Sequence, residues 1–417
     1  MFRFIHAADP HLDSPLRGLE NHDDAPVDPL RGATRRAFEN LVELALAEEV
    51  DFVVIAGDLY DGDWKDYSTG LFFRGQMVRL KDKGIPVYLI AGNHDAASVI
   101  SKKLTLPDNV HVFSTRTAET IEVEGVPAVI HGRGFPNRAV PENLAEDYPV
   151  ALSGKFNLGL LHTSLTGRPG HDTYAPCSES DLRDKGYDYW ALGHIHQPEI
   201  LSESPWIVFA GNCQGRHVRE TGARGCRLVT VNDSLEVETV EWRSLDVVRW
   251  EVSEVDLGGI ESERDMLGRI RESLTDVVDQ AEERLVAARI ILQGATPLHG
   301  LLHWEAHRIR AEALALAQDF GGEAVWIEQV KIKTTPVYDL EKLKERDVLT
   351  KTVLESLDQD AGELTDLPQE VKDMLEVLPV EIRGEVEREW EEARSQTMDD
   401  VRAIVLEALQ TRGGEET

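Results

Sequence analysis

At 417 residues the chain exceeds what one ordinary compact core supports, so two or three domains are expected, and a hydrophobic share of 41% suffices for globular folding. A net charge of −32, from 76 acidic against 44 basic side chains, argues against a broad basic face of the kind that grips a nucleic-acid backbone. No apolar run has the length of a membrane span, MFRFIHAADP reads as a strand rather than a secretory leader, and Cys177, Cys213 and Cys226 are too scattered for a disulfide framework, so a cytoplasmic location is expected.

In chain order, residues 1–247 alternate strands and helices. FRFIHAA is a short buried strand, TRRAFENLVELALAEE an amphipathic helix, and DFVVIAG a second strand ending at Asp58. TGLFFRGQMVRLKDKG forms a helix and IPVYLIAG a third strand, which delivers Asn93 and His94. NLGLLHTS, YDYWALGHIH and WIVFAGN continue the pattern, and CRLVTVND with LEVETVEWRS forms a closing antiparallel hairpin around Asn232 and Asp233. Apolar strands that end in polar, glycine-containing turns suit an α/β fold whose sheet is covered on both faces. Residues 248–335 read as a small α+β module: strand VVRWEVSEVD, helix ESERDMLGRIRESLTDVVDQ, strand RLVAARIILQG, helix LLHWEAHRIRAEALALAQDF and strand AVWIEQVKIKTT. Residues 336–417 read as helices broken at Gly362, Pro368, Pro379 and Gly384, and from 337 onward carry 23 acidic against 10 basic side chains. There Val401, Ile404, Val405, Ala408 and Leu409 make an apolar stripe at helical spacing that could bury against a partner.

Five polar motifs sit at the loop ends of the first region: Asp9-Pro-His11, Gly57-Asp-Leu-Tyr-Asp61, Gly92-Asn-His-Asp95, His162 in LLHTS, and Gly193-His-Ile-His196. Asp9 and His11, like His194 and His196, are two positions apart, so an extended segment turns both side chains the same way. Asp58 follows a strand and a glycine, a suitable place for a carboxylate shared between two ions. Asp9, Asp58, Asn93, His11, His162, His194 and His196 together offer two carboxylates, one amide and four imidazoles. Mixed nitrogen and oxygen donors without thiolate suit Mn²⁺, Fe²⁺ or Zn²⁺ better than Ca²⁺ or Mg²⁺. Two such ions about 3.5–4 Å apart activate a water and clamp phosphoryl oxygens for in-line displacement.

The motifs D-x-H, GDxxD, GNHD, a lone His and GHxH, in that order, resemble the calcineurin-like metallophosphoesterases. ADPHLDSPLRGLE, GDLYDGDW, LLHTSLTGRPGHDTYAPCS and LGHIHQPEIL are similar to bacterial DNA repair exonucleases of the SbcD type, especially the YhaO-like group. The resemblance implies a β-sandwich flanked by helices, with 248–335 in the position of a capping domain. It implies one metal held by Asp9, His11, Asp58 and His196, and a second held by Asp58, Asn93, His162 and His194. It makes His94 the catalytic histidine, with Asp95 either orienting it or capping the following helix. Asp61 stands where some relatives carry a histidine. The family also implies a homodimer and a coiled-coil ATPase partner of the SbcC or YhaN type, to which the C-terminal helices would dock.

Arg216, His217, Arg219 and Arg224, in QGRHVRETGARGCR, are candidates for substrate phosphate, since arginine forks match phosphate oxygens. Arg17, Arg133, Arg138 and Arg168 also lie near motif loops, and His171 is a further candidate to face substrate. The expected function is metal-dependent cleavage of DNA ends. A phosphatase or phosphodiesterase for a small substrate is the alternative, which the acidic charge favours. A non-catalytic assembly subunit would lack ligands, and no ligand of the set is missing.

Overall fold

The computed structural model describes residues 1–14, 30, 32–61, 67–97, 105–165, 174–321, 324–337, 348–363, 369, 372, 375 and 400–408. The chain divides into two compact units, Met1–Glu251 with Ala281–Ala287, and Val252–Gln280 with Ala288–Thr417.

The first unit opens with β1 (Phe2–Ala7), α1 (Ala33–Ala47), β2 (Phe52–Ile55), α2 (Tyr67–Lys81), β3 (Val87–Leu89), the short α3 (Asn93–Ala97) and β4 (Val110–Val112). It continues with β5 (Glu119–Glu122), β6 (Ala128–Gly132), β7 (Phe156–His162), α4 (Glu179–Arg183) and β8 (Tyr189–Gly193). It closes with β9 (Glu199–Glu203), β10 (Trp206–Phe209), β11 (Gly225–Val231) and β12 (Val237–Ser244). These strands build two six-stranded sheets, ordered β12-β11-β1-β2-β3-β4 and β5-β6-β7-β8-β10-β9. In each, a parallel centre carries antiparallel strands outside it: β11 and β12 in the first, β5 and β9 in the second.

The inner strands are mostly apolar because both of their faces are covered. Phe4 and Phe52 point between the sheets, stacked with ring centroids 5.0 Å apart, among Phe156, Leu158, Leu160 and Tyr189 of the facing sheet. Ile5 and Val53 point the other way, into a core with Ala37, Phe38, Leu41 and Val42 of α1 and Phe73 and Met77 of α2. The far face of the second sheet buries Trp190, Leu161 and Phe209 with Tyr148 and Leu182. The fold is therefore α/β, a sandwich of two mixed sheets with helices against it, as expected.

In the second unit β13 (Val248–Asp256), β14 (Leu285–Thr296) and β15 (Val325–Pro336) form a three-stranded sheet in that order, β13 and β14 both starting among residues of the first unit. With them go α5 (Glu263–Asp279), α6 (His299–Trp304), α7 (Ala306–Gln318) and α8 (Val348–Glu363). Ser262 caps α5 by accepting from the Asp265 amide at 3.2 Å. The single helix read for LLHWEAHRIRAEALALAQDF is two, because Glu305 leaves helical geometry at φ −111° and ψ 30°. No glycine or proline marks that break. α7 packs on β15 and α5.

Residues 400–408 are helical, with Ala403 and Leu406 buried and Val401, Ile404, Val405 and Ala408 half-buried. Leu409 lies outside the described residues, as do Pro368, Pro379 and Gly384. All three cysteines are free and buried, and among the described residues no helix is long and apolar enough to cross a membrane.

Candidate metal centre

The motif loops follow the C-terminal ends of β1, β2, β3, β7 and β8, and short backbone links tie the first two together. The amides of Asp9, His11 and Leu12 donate to the carbonyls of Gly57, Asp58 and Leu59 at 3.1, 3.0 and 2.9 Å. Four of the seven proposed ligands hold left-handed backbone, Asp9 at φ 49°, His11 at 42°, Asp58 at 50° and His194 at 93°. Such strain in non-glycine residues clusters where surrounding structure enforces a functional geometry. Two glycines allow the loops to close: a Cβ on Gly193 would meet the Ala56 carbonyl oxygen at 1.9 Å, and one on Gly92 would meet an Asp58 carboxylate oxygen at 2.2 Å.

The structure brings together Asp9, His11 and His196; Asp58, His162 and His194; and His11, Asp58 and His94, with the ligand atoms of each trio within 4.8 Å of one another. Asp58 and His11 each belong to two trios, which suits adjacent ions. His162 Nδ1 donates to the Ala56 carbonyl at 2.9 Å, so its Nε2 lone pair faces Asn93 Oδ1 at 2.9 Å and Asp58 Oδ2 at 3.4 Å. Three acceptors converge there and require a cation or a proton between them. Correspondingly, burial lowers the His162 pKa but Asp58 and Asp9 override it, pushing the group up to about 9. His196 Nδ1 donates to Glu220 Oε1 at 2.6 Å, which leaves its Nε2 only 3.2 Å from His11 Nε2. Among the described residues, the buried His11 Nδ1 atom has no hydrogen-bond partner. Asp9 accepts from the His194 amide at 3.0 Å, and burial pushes its carboxyl up to about 6. A buried set of crowded lone pairs with fixed imidazole orientations fits divalent metal ions.

Around this centre the structure places residues that the motifs did not resolve. Asp61 Oδ1 lies 2.8 Å from His94 Nδ1, and its Oδ2 accepts from the Ser14 hydroxyl at 2.7 Å. Burial opposes the charge on His94, but the hydrogen bond to Asp61 and the nearby Asp58 raise its pKa above the ordinary value. Asp95 has a different set of contacts: it accepts from the amides of Leu59 at 3.1 Å, Tyr60 at 2.9 Å and Gly92 at 3.0 Å. The last of these is the reach from the third helical residue back to the N-cap amide, so Asp95 caps α3.

Glu220 was not anticipated as a site residue. Besides His196 it accepts from Asn212 Nδ2 at 2.9 Å and the Arg216 amide at 2.7 Å, and no spacing in the sequence pairs it with His196. Arg224 is 3% exposed and donates to the carbonyls of His196 at 2.5 Å and Thr221 at 2.7 Å, which braces that loop, and it also lines the cleft described next. Arg219 is exposed and, with His94, Gln197 and Glu220, lines a cleft of about 370 Å³ over the ligands. Arg216 lies 3.8 Å from Asp61 and 3.7 Å from Glu220, and His217 lies 3.6 Å from Glu220. Arg133 pairs with Asp147. Arg17, Arg168 and His171 lie outside the described residues.

Residues 2–198 match the calcineurin-like phosphoesterase family, and residues 250–335 match the middle domain of the metallophosphoesterase YhaO. The chain is 36% identical over 298 residues to the metallophosphoesterase YhaO of Bacillus subtilis (strain 168), covering 70% of this chain and 72% of that one. It is 28% identical over 345 residues to a protein of Aeropyrum pernix named DNA double-strand break repair protein Mre11, covering 73% and 81%. A protein of the same name from Methanopyrus kandleri is 26% identical over 307 residues, covering 64% and 62%. The chain belongs to the calcineurin-like metallophosphoesterases, with a middle domain of the YhaO type.

Proposed function

We propose that this metallophosphoesterase is a two-metal phosphodiesterase that cleaves DNA from its ends, with endonucleolytic cutting as a further capacity, in DNA repair. The observation that carries the hydrolytic part is the convergence of His162 Nε2, Asn93 Oδ1 and Asp58 Oδ2, three acceptors that a divalent ion would unite. Similarity to two relatives named for double-strand break repair supports the DNA part.

Asp9, His11, Asp58 and His196 would hold one ion, and Asp58, Asn93, His162 and His194 the other, with Mn²⁺ the first choice and Fe²⁺ or Zn²⁺ the alternatives. Bound there, the pair supplies an activated water and positive charge for the phosphoryl oxygens. His94, kept protonated by Asp61, donates its proton to the leaving oxygen. Asp95 positions the turn that carries Asn93 and His94. Arg219, with Arg216 and His217 beside it, receives the phosphate backbone at the cleft. In this reading the protein works in the cytoplasm as a homodimer with a coiled-coil ATPase of the SbcC or YhaN type. That partner supplies the basic DNA clamp that a net charge of −32 withholds from this chain.

The charge and the cleft of about 370 Å³, a volume suited to a small ligand, favour a second reading: hydrolysis of a small phosphoester. The full chain with Mn²⁺, assayed on linear duplex DNA and on a chromogenic phosphodiester, separates the two. Shortening of the duplex, alone or with the ATPase, is expected. Turnover of the small ester with no cleavage of DNA under either condition would sink the nuclease reading. His94→Ala should lower kcat by about 10²–10⁴-fold while metal content stays unchanged.

A further inference from the structure

The second unit contains a separate cluster of metal-donor side chains that takes no part in the phosphoesterase site. His299 and His303 stand at i and i+4 on α6, so both rings project from one face, with centroids 4.7 Å apart. Asp400, the first of the helical residues 400–408, meets them: its Oδ1 lies 3.5 Å from His303 Nε2 and 4.0 Å from His299 Nε2. One donor atom from each of the three lies within 4.8 Å of the others.

Three features suit this cluster to a cation. Thr334, itself buried, hydrogen-bonds His299 Nδ1 at 2.9 Å, and with the proton on Nδ1 the Nε2 atom presents its lone pair to Asp400. Such an outer partner orients most metal-binding histidines. His303 Nε2 is buried and has no hydrogen-bond partner among the described residues. The spacings are right as well: tetrahedral zinc, with ligand bonds of about 2.0–2.1 Å, places neighbouring donor atoms roughly 3.4 Å apart.

The local packing shows what an ion would accomplish. Gly300 lies between the two histidines, and a Cβ there would meet the Ala403 carbonyl oxygen at 3.2 Å and the Glu407 carboxylate at 2.9 Å. Helix 400–408 thus lies directly on α6, with Ala403 1% and Leu406 4% exposed. Two imidazoles come from one segment and the carboxylate from another far along the chain. We propose that His299, His303 and Asp400 bind a divalent first-row ion of the zinc class, with water completing its coordination, and that this ion fastens residues 400–408 to the middle domain.

The test uses the full chain, stripped with a chelator and then equilibrated with Zn²⁺ or Co²⁺. Metal content is read by elemental mass spectrometry, and Co²⁺ geometry by its visible absorption. Wild type should retain one ion per chain more than Asp400→Ala and more than His303→Ala. A variant with the phosphoesterase centre disabled, Asp58→Ala with His194→Ala, should still bind one Co²⁺ and show the intense bands of tetrahedral coordination. Zinc should also slow proteolysis near residue 400 in wild type but not in Asp400→Ala. Equal metal content in wild type and Asp400→Ala, with zinc leaving proteolysis near residue 400 unchanged in wild type, would overturn the proposal and leave a histidine–carboxylate contact only. The wild-type comparisons hold even if the double variant fails to fold. They read metal and protection, not phosphoester hydrolysis, so they stand apart from the outcome of the nuclease assay.

Discussion

Asp61 shows how one residue sets the chemistry of its neighbour. Read from sequence it marked a departure from relatives, with no partner. In the structure its carboxylate sits 2.8 Å from His94 Nδ1 and is itself fixed by Ser14. Burial works against its charge, yet the His94 hydrogen bond and the Ser14 hydroxyl prevail and hold it at about 2. The two shifts agree in sense, since each group favours the charged form of the other. His94 must carry a proton to act as an acid. Its pKa is raised above the ordinary imidazole range, so with His94 as the proposed acid the activity should be full below the raised value and lost as pH climbs through it. Asp61→Asn removes the stabilising charge. The alkaline limb of kcat should then move to lower pH, and kcat on that limb should fall by about 10–100-fold, with metal content unchanged. A limb that stays in place would show that His94 is not the group titrating.

At the scale of elements, the strands that carry ligands were legible because their chemistry is local. An apolar run followed by a polar turn marks β1, β2, β3, β7 and β8, and each turn announces its own donors. Strands without that signature leave no such mark in the sequence. β4, β5 and β9 are short and partly exposed, and their residues lack the continuous apolar run of a central strand. β6, though fully buried, includes His131 and ends in glycine, and it lies in a stretch without a motif. The connection from β10 to β11 was read as a basic loop for substrate. It also brackets His196, because Glu220 and Arg224 both fold back onto that side chain and its carbonyl, while Arg219 and Arg224 line the cleft. Glu220→Gln keeps the shape but removes the charge that orients the ring. Metal affinity should drop about 10–100-fold in an equilibrium dialysis against Mn²⁺, the usual effect of losing an outer partner. Unchanged affinity would reduce Glu220 to a loop staple.

Across the whole molecule, stability should depend on metal binding. The first unit buries Asp9 and Asp58 beside His11 and His162 in a sandwich whose interior is mainly aromatic and aliphatic. Without a cation these groups must share protons or bear unpaired charge, and burial already pushes Asp9 up to about 6. A ligand that binds only the folded state stabilises it by about 2.7 kcal/mol at a concentration 100 times its Kd. Chelation should therefore lower the unfolding free energy in urea by an amount of that order, and Mn²⁺ should restore it. Melts indifferent to chelator would mean that the donors do not hold metal in the native protein. The charge of −32 acts at the same scale: it disfavours a polyanion over most of the surface, and only a local cation such as Arg219 at the cleft or a partner can offset it.

By itself the sequence supplied a candidate donor set and its order and, through the family those motifs mark, the reaction class. Each donor lies in a short motif whose residue types and turn glycines are readable without knowing what stands opposite. It also determined most of the central strands, β6 excepted, since burial on both faces leaves a largely apolar run. Only the tertiary structure decided which groups face each other: Asp61 against His94, Glu220 against His196, Arg224 turned inward, Asp95 holding amides, and Asp400 meeting His299 and His303. Those pairings join segments distant in the chain. A charged side chain takes whichever partner the folded backbone brings within about 4 Å, and nothing in the local pattern encodes that choice.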